Sequence, residues 1–327
     1  MAHVLLTGIS GFVARRTARA LLDAGHRVRG SVRSEGAAQA VRALFAGAGD
    51  RLELVRLDLG NDAGWREAAT GVDAVVHTAS PFPLATDPAD PDVLVRPAVD
   101  GTRRALEAAR DAGVARVVLT SSVAAVIHGP RPEGRPRDER DWTDPAHPAA
   151  NAYVRSKLEA ERLAWSLAGV HGLALTVLNP AFVLGPPMAE ERGASLQLIE
   201  RLLGGKDPMV PPIKLDVVDV RDVAAAHLAA LEDPASAGER FVLSADALWI
   251  ADIARIAREE APGRRIPTRT APAVLVKGLA LFDPVLRDAV PVLGRDEPLS
   301  GDKAHRVLGL DYRAPEEAVR AAVRALM

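Results

Sequence analysis

A short apolar run, His3-Val4-Leu5-Leu6-Thr7, leads directly into Gly8-Ile9-Ser10-Gly11-Phe12-Val13-Ala14. Gly-x-x-Gly-x-x-Ala between an apolar run and a helical pattern leaves few folds open. Gly8 permits a tight turn, Gly11 lets the backbone approach a bound group, and Ala14 is small enough for helix and strand to pack closely. Amide groups exposed at the helix start attract an anion, and a pyrophosphate is the anion that suits this turn. The spacing alone also occurs in ordinary βα turns. Its place after the first strand of a β-α-β unit favours a nucleotide.

The rest of the chain supplies that unit. Residues 12–24 read as a helix stopped at Gly25. Segments 27–33, 52–56, 73–77 and 116–120 are short apolar strands, and 99–112 carries a clear helical pattern. Strands that are continuously apolar belong to parallel sheets covered on both faces. The expected class is α/β, with a Rossmann-type doubly wound parallel sheet over residues 1–178. A smaller, mostly helical C-terminal region, 179–215 and 246–327, is expected to hold the substrate, while 216–245 returns to the nucleotide domain. Prolines crowd 81–97 and 130–148. Each stretch follows a predicted strand and reads as a long loop at the carboxyl edge, where open α/β sheets bind ligands.

Composition removes other classes. With 41 Lys and Arg against 43 Asp and Glu, nothing suggests a basic nucleic-acid surface. The chain has no cysteine, which excludes disulfides, zinc-thiolate sites, iron–sulfur clusters and a cysteine nucleophile. No His spacing supports a metal site. The N-terminus lacks a signal-peptide pattern, and no apolar run approaches the ~20 residues of a membrane span. A soluble cytoplasmic protein, monomer or homodimer, is expected.

The end of the second predicted strand bears on the choice of dinucleotide. An NAD site wants an acidic residue about 20 positions beyond the turn, on the ribose hydroxyl. Here the strand ends Ser31-Val32-Arg33-Ser34, with no carboxylate before Glu35. Arg33 offers a permanently charged donor fork for a 2′-phosphate, so NADP(H) is the expected cofactor. Arg15 and Arg16, in the first helical turn, oppose the helix dipole unless an anion binds there. Asp58, followed by Leu59, either accepts from an adenine amino group or caps the next helix.

Tyr153-Val154-Arg155-Ser156-Lys157 places a phenol and an ammonium on one helical face, at i and i+4. The ammonium is expected to lower the Tyr153 pKa and make it a usable proton donor to a carbonyl. The chain has only two Tyr, and five of its 41 basic residues are Lys. Chance then gives roughly 0.03 such pairs, so the motif is hard to dismiss. Lys157 is also the only Lys before residue 206. Upstream, Thr120-Ser121-Ser122 ends a predicted strand and brings hydroxyls to the same edge.

These residues together resemble the extended short-chain dehydrogenase/reductases, and more closely the dihydroflavonol reductase-like branch. That branch includes cinnamoyl-CoA reductases and microbial aldehyde and ketone reductases. Further matching segments are Ser31-Val32-Arg33, His77-Thr78-Ala79-Ser80-Pro81-Phe82, Pro97-Ala98-Val99-Asp100-Gly101-Thr102, Asp138-Glu139-Arg140-Asp141-Trp142 and Asn179-Pro180-Ala181-Phe182-Val183-Leu184-Gly185-Pro186. The resemblance runs from residue 3 to about 245.

The resemblance implies that Tyr153 is the catalytic acid/base and that Lys157 holds the nicotinamide ribose. Ser122, rather than Ser121, matches the family's catalytic serine. Gly8, Ser10, Gly11, Phe12 and Val13 would contact the pyrophosphate region, Arg33 the 2′-phosphate, and Asp58 and Leu59 the adenine. Thr78, Ala79 and Ser80 would lie along the ribose and nicotinamide. Thr120, Pro180, Val183 and Ser195 complete the cofactor set, and Phe82 and Phe182 join Ser122 and Tyr153 around the substrate.

Two departures stand out. Ala98 occupies the place where many members carry a catalytic Asn. Asn151-Ala152-Tyr153-Val154-Arg155-Ser156-Lys157 keeps only three positions of the cinnamoyl-CoA reductase signature Asn-Trp-Tyr-Cys-Tyr-Gly-Lys. That substrate is therefore not expected. The expected function is NADPH-dependent reduction of a small-molecule ketone or aldehyde, without nucleic-acid or membrane partners. The alternatives are a nucleotide-sugar epimerase or dehydratase, and an NADP(H)-sensing protein without catalysis.

Overall fold

The computed structural model describes residues 1–81, 90–189, 193, 195–282 and 284–327, without the side chains of residues 284, 285 and 288. Strands β1 (His3–Thr7), β2 (Arg27–Val32), β3 (Leu52–Arg56), β4 (Ala74–His77) and β5 (Arg116–Thr120) match the five apolar runs to within a residue. Between and after them lie α1 (Phe12–Asp23), α2 (Glu35–Leu44), α3 (Trp65–Ala69), α4 (Asp92–Asp111) and α5 (Ala152–His171). Next in the chain come β6 (Ala174–Pro180), β7 (Phe182–Leu184), α6 (Leu196–Gly204), β8 (Lys214–Asp219), α7 (Val220–Glu232), β9 (Arg240–Leu243) and β10 (Asp246–Trp249). Helices α8 (Ile250–Glu260), α9 (Ala273–Leu279), α10 (Pro284–Ala289), α11 (Asp302–Leu308) and α12 (Pro315–Leu326) complete the chain.

Seven parallel strands form the main sheet in the order β3-β2-β1-β4-β5-β6-β9. This is the Rossmann-type doubly wound architecture. Side chains alternate along β1: Val4 and Leu6 enter the core shared with α1, α2 and α7, whereas Leu5 enters the core shared with α3, α4 and α5. The inner strands β1 and β4 are buried along almost their whole length because both faces are covered. Strand order reverses between β1 and β4, and the Gly8 turn opens at that crevice.

Two expectations change. The loop expected over 81–97 is cut short by α4, which begins at Asp92 and carries Pro97 inside it. Proline costs a helix one backbone hydrogen bond. Here Leu94, Ala98, Thr102, Ala105 and Leu106 bury one face of the helix and override the local signal. Residues 216–219, expected to return to the nucleotide domain, instead lie in β8, the centre of a second, three-stranded sheet ordered β10-β8-β7. Val217 packs into the core built by α6, α8 and α12, while the adjacent Val218 faces the main core. Strand β8 therefore joins the two parts, and α7 then packs on α1.

Candidate active site

The crevice between β1 and β4 is held open by main-chain geometry. Gly8 adopts φ 68°, and its N–H donates to Ser31 Oγ at 2.9 Å. A Cβ there would stand 3.0 Å from Ala79 Cα, inside normal contact. Gly11 N–H closes the turn onto Gly8 O at 2.9 Å. Thr7, fully buried, accepts the N–H groups of Thr78 and Ala79, each at 3.1 Å, and its hydroxyl lies 2.9 Å from His77 Nδ1. With both lone pairs of its oxygen engaged, Thr7 donates its proton to His77. Burial, helped by the charge of Lys157, lowers the His77 pKa to about 3, so the ring is a neutral acceptor. His77 is thus a packed strand residue, edge-on to Trp65.

Ser10 sits in the turn itself and Phe12 opens α1. A Cβ on Gly193 would come within 2.6 Å of the Phe12 ring, so these two segments meet closely. Val13 packs against the core. Arg16 donates to the Pro186 carbonyl at 2.8 Å. Arg33 is exposed just beyond β2, and among the described residues no carboxylate pairs with it. Asp58 accepts Gly60 N–H at 2.7 Å; the cap position of α3 belongs to Gly64. Of the two readings of Asp58, helix capping is therefore removed. Leu59 packs on Gly101. The Thr78 hydroxyl bonds the Thr7 carbonyl, and Ser80 is half-buried on the same rim. A glycine-built turn and an exposed arginine at the end of β2 suit a phosphorylated dinucleotide.

On the other side of the crevice the structure brings Ser122, Tyr153 and Lys157 together. Ser122 caps a short 3₁₀ turn by accepting Ala124 N–H at 3.1 Å, and its hydroxyl hydrogen-bonds the Tyr153 phenol. Asn151 caps α5 by accepting Val154 N–H at 3.0 Å, which starts the helix just before Tyr153. The Lys157 ammonium is buried 5.9 Å from the Tyr153 ring centroid. Burial lowers its pKa to about 8 against the opposing effect of Glu161.

The expected lowering of the Tyr153 pKa is not found. Burial of the phenol raises it, and the Ser122 hydrogen bond only opposes that rise. The two adjacent serines separate by role: Ser121 is turned inward to Glu161 at 2.6 Å. The Thr120 hydroxyl lies 2.7 Å from His227 Nε2. His227 Nδ1 donates to Val223 O at 2.7 Å, and burial lowers the ring pKa to about 4. Asp219 caps α7, accepting Arg221 N–H at 2.8 Å. Asp222, one turn into the same helix, accepts Arg313 N–H at 2.8 Å.

Pro180 closes β6 opposite Leu243. Phe182 and Val183 lie on β7, and the Ser195 hydroxyl donates to the Val183 carbonyl, tying the start of α6 to that strand. Phe82 lies outside the described residues. A cavity of about 590 Å³ opens beside Asn151, between residues 148–151 and the α9–α10 segment, with Lys277, Leu281 and Arg287 in its wall. Sequence reasoning missed Thr7, Glu161 and Arg240, and gave Asn179 no role. Glu161 had one signal: it follows Lys157 at i+4 on the same face.

The reversed strand order, the switch-point turn and the Tyr–Lys face of α5 define the class, an extended short-chain dehydrogenase/reductase. Within that class the chain belongs to the NAD dependent epimerase/dehydratase family, which residues 4–244 match. It is 38% identical over 270 residues to cinnamoyl-CoA reductase 1 of Petunia hybrida, covering 81% of this chain and 79% of that one. Tetraketide alpha-pyrone reductase 2 of Arabidopsis thaliana is 35% identical over 269 residues, covering 80% and 84%. Among solved structures, yeast methylglyoxal/isovaleraldehyde reductase Gre2 complexed with NADPH matches with a TM-score of 0.83 at 26% identity, over 99% of this chain and 98% of that one. No helix among the described residues is long and apolar enough to cross a membrane, and they hold no group of side chains able to bind a metal ion.

Proposed function

We propose that this chain reduces the carbonyl group of a small ketone or aldehyde, and oxidises the corresponding alcohol in reverse, with Tyr153 as proton donor. By family it is an NADP-dependent oxidoreductase, alongside its reductase relatives and a structural neighbour complexed with NADPH. The observation that carries the reading is the Ser122–Tyr153 hydrogen bond at the carboxyl edge of β5, with Lys157 buried behind it.

NADP(H), when bound, supplies or accepts the hydride. Gly8, Ser10, Gly11, Phe12 and Val13 would hold its pyrophosphate, and Arg33 its 2′-phosphate. Asp58 and Leu59 would meet the adenine, and Thr78, Ala79 and Ser80 the ribose side. Thr120, Pro180, Val183 and Ser195 would border the nicotinamide, and Lys157 its ribose. Ser122 hydrogen-bonds the carbonyl oxygen of the substrate, and the Tyr153 phenol gives that oxygen its proton. A phenol whose pKa is raised stays protonated at neutral pH and is ready to donate. The reverse reaction needs the phenolate and therefore a more alkaline medium. Phe182 and the 590 Å³ cavity are the substrate side of this reading, a volume suited to a small organic molecule.

Replacing Tyr153 with Phe tests the assignment. Loss of the proton donor should lower kcat by about 10²–10⁴-fold, with NADPH affinity retained. Ketone reduction near the wild-type rate would overturn it.

A further inference from the structure

Glu161 is completely buried on α5, one turn beyond Lys157 and two beyond Tyr153. Positions i, i+4 and i+8 follow one helical face, so the carboxylate stands behind the Tyr–Lys pair. Its Oε2 accepts from the Ser121 hydroxyl at 2.6 Å and from Asn179 Nδ2 at 2.7 Å. Its Oε1 lies 2.6 Å from Arg240 Nε, an ion pair brought by β9, and accepts Trp165 Nε1–H at 3.4 Å. The same Asn179 amide donates to the Ser122 backbone carbonyl at 3.1 Å. A carboxylate only accepts, so it dictates which end of the Asn179 amide faces it. Asn179 Oδ1 is left buried without a donor among the described residues.

Stability alone does not account for this arrangement. A buried ion pair seldom outweighs the desolvation of its charges, and an apolar replacement of similar size is often as stable. Ser121 and Asn179 both lead from Glu161 to the end of β5, where Ser122 meets Tyr153. Glu161 and Lys157 also border one cavity of about 10 Å³, close to the size of a single water, with Thr102, Thr120 and Ser121 around it.

We propose that Glu161 is a positioning residue for carbonyl reduction: through Ser121 and Asn179 it fixes the end of β5 so that Ser122 meets Tyr153, and its charge sustains the Lys157 ammonium. The inference rests on the reduction reading above. The charged groups around Glu161 are Arg240 from β9 and Lys157 from its own helix. His77, on β4 beside Lys157, is neutral above about pH 3, and α4 contributes the neutral Thr102. Burial holds Lys157 near 8 and Glu161 acts against that fall. Without the Glu161 charge, Lys157 loses its proton at a lower pH.

The experiment compares Glu161→Gln with Asn179→Ala. The Lys157 midpoint is read by NMR on ε-carbon-labelled lysine in cofactor-free protein, where the chain's five lysines keep the spectrum simple. Kinetics with NADPH are read alongside. Glu161→Gln should move the Lys157 midpoint, and with it the alkaline limb of kcat, down by about half a pH unit or more. Asn179→Ala should lower kcat by about tenfold while leaving that midpoint in place.

Should Glu161→Gln fail to fold, Glu161→Asp keeps the charge and shortens the reach: reduced kcat with an unmoved midpoint supports the role, and wild-type kcat overturns it. The proposal is also overturned if Glu161→Gln changes only the melting temperature, with midpoint and kcat as in the wild type. Activity retained by Tyr153→Phe would sink the reduction reading itself. An inactive Tyr153→Phe beside an unaltered Glu161→Gln would sink only the role of Glu161.

Discussion

The two sides of the crevice are made from different materials. In the proposed reaction the groups around β1, β2 and β4 are mostly main-chain: a glycine at φ 68°, the amides of the turn, and Thr7 receiving two further amides. Around β5, α5 and β6 they are side chains, Ser122, Tyr153 and Lys157, with Ser121, Glu161 and Asn179 beneath them. A main-chain site is sensitive to added bulk and to φ. A side-chain site is sensitive to the loss of one atom. The first half should therefore govern cofactor affinity and the second the rate of the chemical step.

The sharpest way to break that division is at the adjacent serines. Ser122→Ala should lower kcat by about 10²–10³-fold, the cost of one donor to a reacting oxygen, with NADPH affinity unchanged by fluorescence titration. Ser121→Ala removes only a support and should cost far less. Equal losses would show that the two hydroxyls do not differ in role.

Gly8→Val attacks the other half. A non-glycine residue at this φ costs about 1–3 kcal/mol, and the side chain would also press on Ala79. NADPH affinity should fall by about 10–100-fold, while kcat at saturating cofactor is largely kept. A loss confined to kcat would refute the division.

Arg33→Ala gives a similar or smaller effect that depends on the cofactor. Losing a charge-assisted hydrogen bond should weaken NADPH by about 1.5–3 kcal/mol and leave NADH unchanged. Parallel losses with both cofactors would remove the 2′-phosphate role.

The smallest effect is on stability, and it runs across both halves. His77 and His227 have pKa values of about 3 and 4 in the folded chain against an ordinary 6.5. As pH falls through 6.5 the unfolded chain takes up protons first, so stability is lost progressively down to about pH 3. Calorimetry between pH 7 and 5 should find the melting temperature falling by several degrees. Lys157 works at the other end: stability rises between about pH 8 and 10.5, where the unfolded lysine still holds its proton. A flat profile from pH 7 to 5 would mean that the histidines are not buried as neutral rings.

Legibility in the sequence followed the range of the interactions. The Gly8 turn, the five strands and the Tyr153–Lys157 face depend on residues within a few positions of one another, and all can be read from the string. Pro97 was misleading because a local breaker was outweighed by the apolar face of α4. Strand β8 was misplaced because Val217 and Val218 serve different cores, which no periodicity in one segment reveals. The fall expected in the Tyr153 pKa was inferred from a neighbouring charge, and burial, a property of the assembled fold, decided the opposite direction.

Read from residue order alone were the β-α-β alternation, the Gly-x-x-Gly turn, the absence of an acid before Glu35 and the spacing that brings a phenol and an ammonium onto one face. These depend on local conformation and on the chemistry of single residues. Tertiary packing was needed to show that Ser121 turns inward to Glu161, and that this carboxylate lies behind the Tyr–Lys pair. The hydrogen bonds responsible join residues on β5, β6 and α5, 40 positions apart from Ser121 to Glu161 and 18 from Glu161 to Asn179. Contacts at such separations exist only after helix and sheet have docked, because docking excludes the water that would otherwise satisfy each group alone.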